Sequence, residues 1–270
     1  MDNTPPDVAI TTSALDPTST SPFPITITFS EDVTGFDVGD IAVTNGVAGS
    51  FSGGPSVYTA DITPNDFGRV TIDVGAGVAQ DGASNPSNAA TDLSLIYASV
   101  NTFRSIWNVG AETITLPLRG GYAYDFYVDW GDGSPAQLVS SNSDPNRVHT
   151  YASAGTYTIT CTGLMEAFYI NNGSMKNKIT SVTSLGEMGW RNLDSAFEGS
   201  TTLLSFTGGV VDQVTSMYEM FRNAQNLSSI DVSTWDTGNV TSMVVMFYQA
   251  SAFNQDIGNW NVSKVTSMRN

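Results

Sequence analysis

The chain has 270 residues, of which 40% are hydrophobic, and carries 10 Lys and Arg against 26 Asp and Glu for a formal net charge of −16. That length suits two or three domains of about 100 residues each rather than one. A surface this acidic repels phosphate backbones and anionic lipid, which argues against nucleic acid and peripheral membrane attachment as partners.

Cys161 is the only cysteine, so no intrachain disulfide forms and stability rests on packing or on ions. No run of about 18 apolar residues occurs, so no direct membrane insertion is expected. The opening Met-Asp-Asn-Thr-Pro-Pro lacks the charged and apolar regions of a signal peptide, and Met1 reads as a start inside a longer protein.

From Val8 to Tyr97 the chain breaks into short alternating runs: Ile25, Ile27 and Phe29; Ile41 and Val43; Val70, Ile72 and Val74; Leu93, Leu95 and Tyr97. Period two predicts half-buried strands. Turn signals stand between them at Asn45-Gly46, Gly53-Gly54, Pro64 to Gly68 and Asp81-Gly82. About seven strands at this spacing predict an antiparallel sandwich. The runs Phe29 to Phe36, Asp40 to Gly46 and Tyr58 to Pro64 resemble bacterial Ig-like domains, in which the module is a spacer.

Two patterns in this region invite a functional reading. Gly75-Ala-Gly77 imitates the opening of a nucleotide loop, but position 80 is Gln and no helix pattern follows, so it reads as a strand-end loop. Asp37 and Asp40 are close enough to share calcium, yet no Asp-x-Asp-x-Asp-Gly loop exists, and a solvated turn is the plainer reading. No cofactor is therefore expected, with calcium as the one ion left open.

Around Asn101 to Leu164 a second β segment centres on Tyr124 to Trp130 followed by Gly131-Asp132-Gly133. Tyr124, Phe126, Val128 and Trp130 share one strand face, and the glycines supply positive-φ turn positions. Tyr157, Ile159 and Cys161 alternate with threonines in the same way. Trp130 to Gly133, with His149-Thr-Tyr151 and Gly155 to Thr158, resembles the polycystic-kidney-disease (PKD) domain, which implies an Ig-like sandwich acting as spacer or recognition module.

The chemistry available in this segment is thin. Asp129 and Asp132 form an acid pair that reads better as turn caps. His149 is the sole histidine, so any Ser-His-Asp or Cys-His mechanism has to pass through it. It lies inside the structural motif. Cys161 faces inward, without the cationic neighbours a reactive thiol needs. No catalytic constellation is expected, and the chain reads as a non-enzyme.

Beyond about residue 179 the chain copies itself. Val214-Thr-Ser-Met217 returns at Val240 to Met243 and Val265 to Met268, offsets of 26 and 25, while Ala196-Phe197, Met220-Phe221 and Met246-Phe247 are offset by 24 and 26. A period near 25 predicts a solenoid. Met217, Met220, Phe221 and Ala224 recur at helical spacing and predict one short helix per copy, with Val-Thr-Ser and Ile-Asp-Val as short strands. Trp235 to Met243 and Asn254 to Val262 resemble the BspA-like leucine-rich-repeat surface proteins, whose members are implicated in adhesion. Asn270 falls within the third copy.

Most Met and Trp of the repeats read as core. Trp235, Tyr248 and Trp260 are the candidate ligand-binding residues, because aromatics one repeat apart can form a stacking ladder for sugar or peptide. Glu187, Glu198 and Glu219 read as solvated. The sequons at Asn172, Asn226, Asn239 and Asn261 read as polar loop positions.

The fold expected is mainly β: two Ig-like β-sandwich modules (residues 1–99 and 100–170) and a leucine-rich-repeat-type α/β solenoid with short helices and strands (171–270). The function expected is a non-catalytic adhesin segment on the bacterial cell surface or secreted, binding an extracellular protein or glycan. A structural spacer and an accessory region of a secreted polysaccharide-degrading enzyme are the alternatives.

Overall fold

A computed structural model describes residues 2–270, and Met1, read above as an internal start, lies outside them. The chain divides into two compact units, Met1–Ala98 and Ser99–Asn270.

The first unit is built from β1 (Val8–Thr12), β2 (Phe23–Phe29), β3 (Ile41–Thr44), β4 (Gly46–Gly53), β5 (Val57–Pro64), β6 (Gly68–Val74) and β7 (Leu93–Tyr97). Strands β1-β2-β5-β4 form one antiparallel sheet and β3-β6-β7 the other. The period-two pattern is met directly: Phe23, Ile25, Ile27 and Phe29 of β2 are buried with Val70, Ile72 and Val74 of β6 in one core. Asn45 takes a positive φ of 58° ahead of β4, and its side-chain amide donates to the Asp66 carbonyl (2.9 Å). Gly75 to Gly77 is the loop after β6, with no helix.

The second unit contains β8 (Phe103–Val109), β9 (Thr113–Thr115), β10 (Tyr124–Asp129), β11 (Gln137–Val139), β12 (Val148–Thr150), β13 (Gly155–Met165), β14 (Ile179–Ser184), β15 (Ser205–Thr207) and β16 (Ser229–Asp231). Its large sheet runs β11-β10-β13-β8-β14-β15-β16, while β12 pairs with β9. From β11 to β14 the pairing is antiparallel; β14-β15-β16 are parallel. As the alternation requires, Tyr124, Phe126, Val128 and Trp130 are buried, and Gly131 and Gly133 take φ of 76° and 85°. The expected boundary near residue 170 falls within this unit, whose single hydrophobic core extends from Phe103 to Trp260.

The repeats stack in register through a second set of parallel bridges, Ala167↔Asn192↔Ser216↔Ser242↔Ser267. Thr241 Oγ1 donates to the Thr215 carbonyl (2.9 Å) and Thr266 Oγ1 to that of Thr241 (3.1 Å), tying successive copies together. Phe197, Phe221 and Phe247 form a column of rings stacked 5.7 and 5.6 Å apart.

The expected short helices do not form. Met217, Met220, Phe221 and Ala224 are buried as their spacing demands, but the segment is a series of turns. Glu219 and Asn223 adopt φ of 56° and 60°, as Ser195 and Gly199 do one copy earlier and Val245 and Gln249 one copy later. A left-handed residue every fourth position breaks an α-helical ladder. The backbone N–H groups then divide between two partners. Those of Met217, Glu219, Phe221 and Asn223 donate to Ser242, Val244, Met246 and Tyr248 of the next copy, while Met220, Arg222 and Ala224 donate three residues back.

Candidate recognition surface

Trp235 and Trp260 do stack, with ring centroids 5.6 Å apart and planes 19° from parallel. They are nevertheless core residues, only 5% and 9% exposed. Phe206 meets Trp235 edge-on at 5.9 Å and Phe247 lies 6.3 Å from Trp260, so neighbouring rings cover part of each indole, while Trp260 also borders an apolar cavity. A stacking platform for ligand needs an open ring face, and these two side chains are largely enclosed. Gly208 packs against the Trp235 indole at a point where a Cβ would collide with it.

Tyr248 behaves differently. It is 42% exposed and lines a concavity of about 370 Å³ with Glu219, Arg222, Val245 and Asn270. The structure therefore separates Tyr248 from the two tryptophans. Beside it lies a charged cluster that spacing alone did not reveal. Arg222 Nη1 sits 2.6 Å from Glu219 and 3.5 Å from Glu198. Glu198 is buried, Glu219 is half-buried, and Glu187 accepts from the Ser99 hydroxyl (2.8 Å), so the three glutamates expected in solvent all have partners. Tyr218, 40% exposed, is a further open aromatic on the same repeats. Next to the last bridge Met243, Met246, Phe247, Ile257, Trp260 and Met268 line an apolar cavity of about 150 Å³.

The side chains on which a catalytic reading would rest have the following partners. His149 Nε2 contacts Asp132 Oδ2 at 2.8 Å, and its ring stacks on Trp130 (4.9 Å) and meets Tyr151 edge-on (4.7 Å). The hydroxyl of Ser134 donates to the other oxygen of the same carboxylate (2.6 Å), not to the imidazole, so Asp132 separates the two groups that a nucleophile–base pair would join. These hydrogen bonds, from Ser134 first and then His149, hold the Asp132 pKa down at about 2. Asp129 accepts from the Gly131 N–H (2.9 Å), the turn-capping role expected of it. Burial pushes the Cys161 thiol up, away from thiolate chemistry.

Asp37 and Asp40 form a reciprocal cap on the short 3₁₀ turn Val38–Asp40, accepting from the Gly39 and Asp37 N–H groups at 2.7 and 2.8 Å. Asp2, Glu31 and Asp81 bring carboxylate oxygens within 4.8 Å of one another. Burial, and then Asp81 and Asp2, raise the Glu31 pKa. Asp81 is already bonded to the N–H groups of Ala83 and Asn85 and to the Asn85 amide, all at 2.8 Å. The sequon side chains also serve the fold: Asn226 donates to the Thr201 carbonyl (2.8 Å) and Asn239 to that of Asp212 (2.6 Å).

Comparison with known families finds two matching stretches, the second covering only the later part of the second unit. Residues 2–98 match a bacterial Ig-like domain. Residues 191–270 match a family described as Mycoplasma protein of unknown function, DUF285. No leucine-rich-repeat or PKD family matches. No curated protein and no solved structure matches the chain. The two families together suggest a surface-type bacterial protein, and the Ig-like domain an extracellular or surface setting. Among the described residues no helix is long and apolar enough to cross a membrane.

Proposed function

We propose that this chain is a non-catalytic segment of a bacterial surface adhesin, in which β-sandwich modules carry a repeat solenoid of the BspA-like kind toward an extracellular protein or glycan. The observation that carries the reading is the pairing of a bacterial Ig-like module with in-register repeats that leave Tyr218 and Tyr248 open to solvent. A half-open tyrosine beside a Glu–Arg pair offers a ring face and hydrogen-bonding groups together, the combination that recognises protein side chains and sugar rings alike. The PKD-like middle segment is assigned the role of a spacer. The net charge of −16 argues against nucleic acid as the partner.

Binding of the purified chain to an array of glycans and extracellular-matrix proteins tests this. Specific binding that survives Leu15→Ala but is lost in a folded Tyr218→Ala, Tyr248→Ala double variant is the expected result. A second reading, a spacer that binds nothing, is favoured by the burial of Trp235 and Trp260, which removes one stacking ladder from the surface. Absence of binding to any target decides for it.

A further inference from the structure

Residues 99–190 match neither family, yet the parallel strand pairing, the bridge column and the ring column of the ladder all begin on them. The edge of the sandwich is β8, and β14 pairs with it antiparallel before handing on to β15 and β16 in parallel. The second column of bridges starts at Ala167, two residues after the end of β13. The ring column starts in the sandwich too, passing from Phe103 to Phe168 (5.3 Å) and from Phe168 to Phe197 (5.5 Å). We infer that residues 99–190 are the folding base of the repeat ladder, a terminal cap that templates the first rung, so that order spreads outward from β8 and Ala167.

Solenoid repeats cannot bury their apolar faces alone, and stability in such arrays is a sum over neighbouring contacts. Strands β8, β10 and β13, whose buried Phe103, Phe126, Val128 and Ile159 share one continuous core with the repeats, supply the first of these contacts ready-made. Arg119 closes the joint. Its guanidinium donates to Asn192 Oδ1 (2.5 Å) and Asp194 Oδ2 (2.9 Å) and lies over the rings of Tyr169 (4.9 Å) and Tyr122 (5.8 Å). Asp194 in turn accepts from the Ser216 hydroxyl and from the Tyr218 N–H (3.0 Å), so the clamp reaches the second rung. Tyr124 fixes the loop behind it, its hydroxyl accepting from Arg119 N–H (2.9 Å) and donating to the Arg119 carbonyl (2.7 Å). Four independent features thus run from sandwich to ladder: a strand pairing, a bridge column, a ring column and a charged clamp.

The inference predicts one-way dependence, whereas a unit that opens as a whole loses protection everywhere together. Native-state hydrogen exchange on the full chain reads it. In the unmodified protein, protection is expected to fall from the rung at Asn192 to the rung at Ser267. In Arg119→Ala the ladder amides of Ser195, Met217 and Phe221 are expected to exchange at least about tenfold faster, the effect of removing hydrogen bonds between charged groups. The amides of β10, β13 and residues 2–98 are expected to stay unchanged. In Met246→Ala only the rungs beyond about Val240 are expected to speed up. Equal protection along the whole ladder, wild-type exchange of the ladder in Arg119→Ala, or loss of sandwich protection in Met246→Ala overturns the inference.

Discussion

At the scale of single residues, the left-handed positions carry much of the information. Asn and Gly tolerate positive φ, but Val245 sits at 60° with a branched Cβ, a conformation that costs of order 1–3 kcal/mol. Val245→Asn is therefore expected to raise unfolding stability by about 1 kcal/mol, measured by urea denaturation. Asp132 gives a pH prediction. Its pKa is lowered from 3.8 to about 2 by Ser134 and His149, so its contribution is fully present above 3.8 and is lost as pH falls toward 2. Acid titration of the folded fraction should show wild type more stable than Asp132→Asn at neutral pH, with the two converging across that window. An unchanged difference below pH 2 contradicts the assignment.

Individual elements differ in how plainly the sequence announces them. Strands β2, β6 and β10 are legible because one buried face against one open face leaves a period of two in the residue types. The repeat turns are not, because burial of Met217, Met220, Phe221 and Ala224 satisfies helical spacing and stacked-turn spacing equally. Only the recurrence of Glu219, Asn223, Val245 and Gln249 at left-handed positions separates the two, and of these types only Asn hints at it. The burial of the tryptophans is hidden for a related reason: a repeat distance of 25 residues fixes that Trp235 and Trp260 stack, not which side of the wall they occupy. Glu198 is hidden the same way, since its partner Arg222 is one repeat away. Trp235→Ala is expected to destabilise the second unit by about 3–5 kcal/mol, as large-to-small core changes do, with calorimetry as the measure. A variant of near wild-type stability would return Trp235 to the surface.

Across the whole molecule, charge is unevenly spread. Residues 1–98 hold twelve acidic side chains against the single base Arg69. Self-repulsion among these groups is screened by salt, with a Debye length falling from about 10 Å at 0.1 M to about 3 Å at 1 M. Raising sodium chloride over that range should therefore lift the melting of the first unit more than that of the second, read by following Tyr58 and Trp107 environments separately in domain-resolved exchange or calorimetry. Equal shifts in both units would show that the excess charge is already neutralised by its own hydrogen bonds.

The rung-to-rung bonding also sets how the molecule carries load. Each copy is joined to the next by a few backbone bridges lying side by side, and the copies themselves are arranged in series. Under tension applied through Asn270, such a stack gives way one rung at a time, each release feeding out about 25 residues, or roughly 80–90 Å of extended chain at ~3.3–3.6 Å per residue. Strand β8, by contrast, is seven residues long and bonded along both sides. Stretching single molecules through Asn270 is therefore expected to give steps of that length from the repeats before β8 is lost, and a single release of the whole unit would overturn this.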